Sequence, residues 1–249
     1  MTSYPNLRNA PIIEGLIHIQ VKPHQGINPN DVRAFADRLK DTYVIAGELR
    51  DFRAQLVFTQ DLAAPKSIPA AHVGYRLERE SPRFVIHART GELLVSRLKP
   101  YDKWEELLSE TQRLWRIYSE VCKPELVTRL ATRFVNQLDL PLKALDLDDY
   151  LSAPALIPEK LPQVFEQFLT RVVVPDDETG THIALSQASG TPNPESETLP
   201  IILDIDVYRA DLDFELASEK IWELLGKMRD IKNRAFFGSV TEKAIQLFS

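Results

Sequence analysis

The stretch that most constrains the fold is residues 199–237, LPIILDIDVYRADLDFELASEKIWELLGKMRDIKNRAFF, where the apolar period changes from two to about 3.6. Ile201, Leu203, Ile205 and Val207 share one face of an extended segment, and Ile202, Asp204, Asp206 and Tyr208 share the other. Period two marks a strand with one buried face. Ile221, Leu224, Leu225, Met228 and Ile231 then form a single apolar stripe at helical spacing. Ser218 stands where an N-cap belongs. A strand face and a helix stripe of this kind need each other, which points to an α+β layout.

The upstream chain supplies more of the same. Residues 11–21 alternate as a strand, and Asn28-Pro29 opens a helix whose stripe is Val32, Phe35, Ala36, Leu39 and Tyr43, with Gly47 as its stop. Short β segments are expected at 52–59, 72–80, 84–88 and 93–98, with residues 61–71 a loop. Residues 101–122 form a long helix with Asp102 as N-cap and Glu105 three residues on. Beyond Lys123-Pro124, strands are expected at 126–140, 163–174 and 181–187, a helical turn at 146–151, a polar loop at 188–198 and a closing helix at 241–248.

Each half ends in a strand that enters an amphipathic helix carrying Trp-Glu, KWEELL at 103–108 and IWELL at 221–225. The expectation is an internal duplication. Residues 1–123 and 124–249 would form two similar antiparallel-sheet halves, packed together and each closed by a long helix. The β-α-β4-α order resembles the TATA-binding-protein-like repeat, and more loosely the helix-grip fold. Neither resemblance specifies an activity.

Composition narrows the classes. With 249 residues, 44% of them hydrophobic and 27% charged, the chain lies in the globular range and can bury a sizeable core. A net charge of -6 argues against a nucleic-acid partner, though a local basic patch stays compatible with it. One cysteine, Cys122, rules out an internal disulfide; it sits on a helix stripe and reads as core packing. The start MTSYPNLRNAP has no signal-peptide pattern, and no apolar run reaches spanning length, so a cytoplasmic location without membrane association is expected.

The segments NAPIIEGLIHI (9–19), SRLKPYDKWEELL (96–108), RFVNQLDLPL (133–142), ILDIDVY (202–208) and MRDIKNRAFFGSVTE (228–242) occur in this order. In them the chain resembles a sporadically distributed prokaryotic family of proteins of about this length, one with no established activity or catalytic motif. The resemblance implies a cytosolic protein of mobile accessory loci, such as defence or toxin–antitoxin systems.

Candidate sites each have an ordinary alternative. Asp204 and Asp206, about 7 Å apart on one strand face, suit a metal or an acid/base pair. They equally suit ion pairing with Arg129 and Arg133 if those strands are neighbours. Asn136 interrupts an apolar strand face, so its amide must find backbone at a bulge or a ligand in a cleft. His18 poses the same question, and Trp115 and Trp222 are candidate walls of a cavity between sheet and helix. Arg229, Lys232, Asn233 and Arg234 make a cationic patch that either complements a helix C-terminus or binds an acidic partner.

No phosphate loop, dinucleotide fingerprint or metal-protease motif is present, and five scattered histidines and nine glycines give no cofactor site. No cofactor is therefore expected, and nothing in the residues asks for catalysis. The leading expectation is a non-enzymatic interaction protein, with another protein as partner and oligomers allowed. The alternatives are a small-ligand binder, with its cavity between sheet and long helix, and a metal-dependent hydrolase built on Asp204 and Asp206.

Overall fold

A computed structural model describes residues 4–5, 7–51, 54–59, 62–67, 71–143 and 145–248. The alternating segments form β1 (Ile12–Lys22), β2 (Val44–Asp51), β3 (Ala54–Thr59), β4 (Leu62–Ser67), β5 (Ala71–Glu80), β6 (Arg83–Arg89), β7 (Glu92–Leu98), β8 (Leu126–Pro141), β9 (Leu169–Asp176), β10 (Thr181–Ser189) and β11 (Thr198–Arg209). The helices are α1 (Pro29–Asp37), α2 (Trp104–Cys122), α3 (Lys220–Ser239) and α4 (Glu242–Gln246), with a 3-10 turn at Leu147–Asp149.

The expected pair of sheets is overturned. Nine strands form one antiparallel sheet in the order β2-β5-β6-β7-β1-β8-β11-β10-β9, and β3 pairs only with β4. The reason lies in β1 and β8, which pair with each other along almost the whole of β1, from Ile12–Asn136 to Lys22–Leu126. Each is thus an interior strand of one continuous sheet whose edges are β2 and β9. The TATA-binding-protein-like and helix-grip-like arrangement of two closed halves falls with it.

The helices line one face of this sheet. Helix α2 packs on β7 and β1, α3 on β8, β11 and β10, and α1 on α2, β5 and β6. In register across the middle of that face lie Val95, Ile17, Thr132 and Val207, with Leu93, Ile19 and Leu130 one step along. All seven are buried, as are Leu107, Leu114, Tyr118, Leu225 and Met228 from the helices above them. The opposite face carries His18, Glu92, Arg129, Arg133, Asp204 and Asp206.

Several boundaries move. Helix α1 ends at Asp37, and Gly47 lies inside β2, a strand read from sequence as helix. Tyr43 is nevertheless buried, in a turn where the Thr42 and Tyr43 amides donate to the Leu39 carbonyl. Asn28 does cap α1, with Asp31 completing the reciprocal capping box. Asp102 does not cap α2; Lys103 holds the cap position without a side-chain bond. Residues 62–67, expected as loop, form β4 against β3, while the expected strand start at Phe52 lies outside the described residues. Strand β9 starts at Leu169, not at 163.

Gly74 has a structural requirement of its own: a Cβ there would come within 2.0 Å of the Ala88 carbonyl oxygen. Among the described residues, no helix is long and apolar enough to cross a membrane.

Candidate functional site

Near the Asn136 end of β8 the packing between sheet and helices opens into a cleft of about 850 Å³. Beneath its Tyr101 and Trp104 wall lies Phe134 of β8, a residue only 1% exposed. Tyr101 meets that ring edge-on at 5.5 Å between centroids, and Trp104 lies tilted against it at 6.3 Å. Gly15 of β1, beside Phe134 in register, makes room for both rings; a Cβ there would sit 2.7 Å from Phe134 and 2.8 Å from Tyr101. The N-terminal segment forms another wall, with Tyr4 stacked on Phe237 at 4.6 Å.

Helix α3 supplies the charge. Lys232 Nζ stands 4.1 Å from the centre of the Phe134 ring. Because that ring is buried, the ammonium is the deep end of a half-buried side chain. Burial, with the Arg229 guanidinium adding to it, lowers the Lys232 pKa from 10.5 to about 7. Among the described residues no carboxylate forms an ion pair with it. Its cationic neighbours are committed elsewhere: Arg229 pairs with Glu105 at 3.4 Å, and Arg234 donates to Asp176 at 2.7 Å. Asp176 also accepts from the Thr179 hydroxyl at 2.6 Å, and these bonds hold its carboxyl below the usual range.

Asn136 lines the same cleft. Its amide nitrogen donates to the Leu203 carbonyl at 3.0 Å, and the β1–β8 register slips next to it, between Ile12 and Glu14. The backbone alternative is therefore realised at the nitrogen, and the residue also lines the cleft. Tyr101 lines the cleft too, its phenol kept protonated well above the ordinary range by burial.

The expected site residues divide into three places. Asn136, Arg229, Lys232, Asn233 and Arg234 share the cleft. Trp115 and Trp222 do not reach it. They line a separate groove of about 530 Å³ with Ser119 and Leu216, where Trp115 Nε1 donates to the Leu216 carbonyl at 3.0 Å. His18 is on the opposite sheet face, its Nε2 2.8 Å from Glu92 and its Nδ1 3.2 Å from an Arg129 nitrogen. On that face Arg133 makes two bonds to Asp204, at 2.7 and 2.6 Å, and Arg129 stands 3.9 Å from Asp206. Burial raises the Asp206 pKa against the opposing pull of Arg129.

The helix-dipole explanation of the cationic patch fails. Helix α3 runs on to Ser239, so residues 229–234 lie well short of its last turn, which holds no basic residue. A signal for Lys232 was present in the sequence: it continues the Leu225–Met228 stripe at the next i+4 step, a position an apolar residue would ordinarily fill. Phe134, Tyr101 and Trp104 had no such signal, because their convergence depends on non-local pairing. No protein-family model matches the chain, and no curated protein does either.

Proposed function

We propose that this chain is a small-molecule binding protein whose ligand carries an anionic group and an apolar body. The observation that carries the reading is Lys232, an ammonium in the cleft that is desolvated against the Phe134 ring and, among the described residues, forms no ion pair with a carboxylate. A buried cation is costly unless paired, and an incoming carboxylate or phosphate would supply the missing charge. Trp104 and Tyr101, packed on Phe134, offer the apolar contact, with Asn136 and the Tyr101 hydroxyl as polar groups to orient the guest. The cleft volume suits a ligand of metabolite size.

The test is a thermal-shift and calorimetric screen of small carboxylates and phosphates against wild type and Lys232→Met. Binding by the wild type that is lost in the variant supports the reading. Equal binding by both sinks it. Because an anion favours charged Lys232, binding at pH 8 should take up protons, visible as a dependence of the measured enthalpy on buffer ionisation.

A second reading, a protein-interaction module, is favoured by β9. This strand ends the sheet, and Leu169, Val172, Val173 and Val174 are 48–75% exposed on it. Exposed apolar edges invite an added strand. Native mass spectrometry of wild type and Val173→Lys tests this: a partner or second copy released by the substitution supports the module, and a wild-type monomer without partners sinks it.

A further inference from the structure

We propose that Lys232 is a nucleophilic amine that condenses reversibly with the carbonyl carbon of a small keto acid or aldehyde in the cleft, forming an imine. The inference rests on the ligand-binding reading and names the chemistry of the guest. Two environments make a lysine nucleophilic, desolvation in an apolar pocket and a neighbouring cation. Lys232 has both: its Nζ lies over the buried Phe134 ring, and Arg229 is one helical turn away. Arg229 of its own helix is tied to Glu105, the Phe134 ring of β8 meets its Nζ, and Tyr101, Trp104 and Asn136 line the same cleft. The cleft is also lined by Asp102, Lys103, Asp176, Glu178, Lys227, Asp230 and Arg234, and among the described residues none of its carboxylates forms an ion pair with Lys232. The lowered pKa leaves much of the amine neutral near pH 7.

The step balances within amine and carbonyl. The nitrogen lone pair attacks the carbonyl carbon and the C=O π pair moves to oxygen, giving a carbinolamine. That adduct then loses water, made from the carbonyl oxygen and both amine hydrogens, and leaves a C=N bond. No oxidant, reductant or metal enters. A keto acid fits best because it places an anionic group beside the carbonyl, where Arg229 can attract it.

The experiment uses the full chain with pyruvate or acetaldehyde as probe, cyanoborohydride to trap the imine, and peptide mapping to locate the adduct. Lys232 should be trapped about a hundredfold faster than surface lysines at pH 7.5, since far more of it is neutral. Its rate should level off just above pH 7 while theirs keep rising. Lys232→Arg should fold, judged by circular dichroism, lose the fast adduct and still bind lactate, which has the charge of pyruvate but no carbonyl. Lactate binding with no preferential trapping by either probe overturns the imine and spares the anion site. Absence of lactate and phosphate binding, with Lys232 still trapped fast by acetaldehyde, supports the amine and counts against the anion site.

Discussion

The Lys232 ammonium rests 4.1 Å above the ring of Phe134, so among the described residues it is held by an aromatic face and by no ion pair to a carboxylate. A cation–π contact returns about 0.5–2 kcal/mol, less than full burial of an ammonium costs, so the site stores a deficit that a ligand can relieve.

That deficit has a sign that can be measured. The folded-state pKa, about 7, lies below the ordinary 10.5, so between those values the unfolded chain binds more protons than the folded one. Stability conferred by this group therefore rises with pH across that window. Lys232→Met should be more stable than wild type at pH 7 by roughly 2 kcal/mol, with the difference shrinking towards pH 10.5. Urea unfolding of both proteins from pH 6 to 10 checks it; a constant difference would show that the lysine is not desolvated.

Gly15→Ala should damage the cleft without touching its charges. The new Cβ would collide with the Phe134 and Tyr101 rings, and neither ring can retreat into a packed core at no cost. A loss of about 1–3 kcal/mol is expected, together with a changed near-ultraviolet circular dichroism spectrum.

Asn136→Leu keeps the volume but leaves the Leu203 carbonyl without the side-chain donor it now has. The expected cost is about 1–2 kcal/mol in denaturant unfolding. Ligand affinity, measured by calorimetry, should fall as well, since one of the amides lining the cleft is gone.

Arg133 and Asp204 form a two-pronged ion pair that is half open to water on the arginine side. A double-mutant cycle with Arg133→Ala and Asp204→Ala should give a coupling of about 1 kcal/mol that shrinks in high salt. Ligand affinity in the cleft should be unchanged by either substitution, because the pair lies on the other face of the sheet.

Cys122 should be chemically silent in the folded protein. It is fully buried on α2, and burial pushes its thiol pKa up to about 12. Its reaction with an aromatic disulfide reagent should follow global unfolding, so adding urea should accelerate it in step with loss of circular dichroism.

How far the chain could be read before folding depends on the range of the interaction. Period-two runs such as 201–207 and the 3.6-period stripes of 104–122 and 221–231 are local, and they appear where expected. The Arg133–Asp204 pairing was legible as one option because both residues sit at outward strand positions. Gly47, expected to stop α1, lies instead inside β2, because pairing with β5 decides the state of Val44, Ile45 and Leu49. The cationic patch misled through its apparent helix end, which α3 simply passes.

By itself the sequence determined which residues turn inward on each strand and helix, since side-chain period is a property of the local backbone. It also determined that no disulfide can form and that the charge balance is acidic. Only the tertiary structure decided that β1 pairs with β8, making one sheet of nine strands. That pairing brings Gly15 beside Phe134 and opens the space over which Lys232 is suspended. Strand pairing is a contact between residues more than a hundred positions apart, and alternating apolar faces do not encode which partner they will meet.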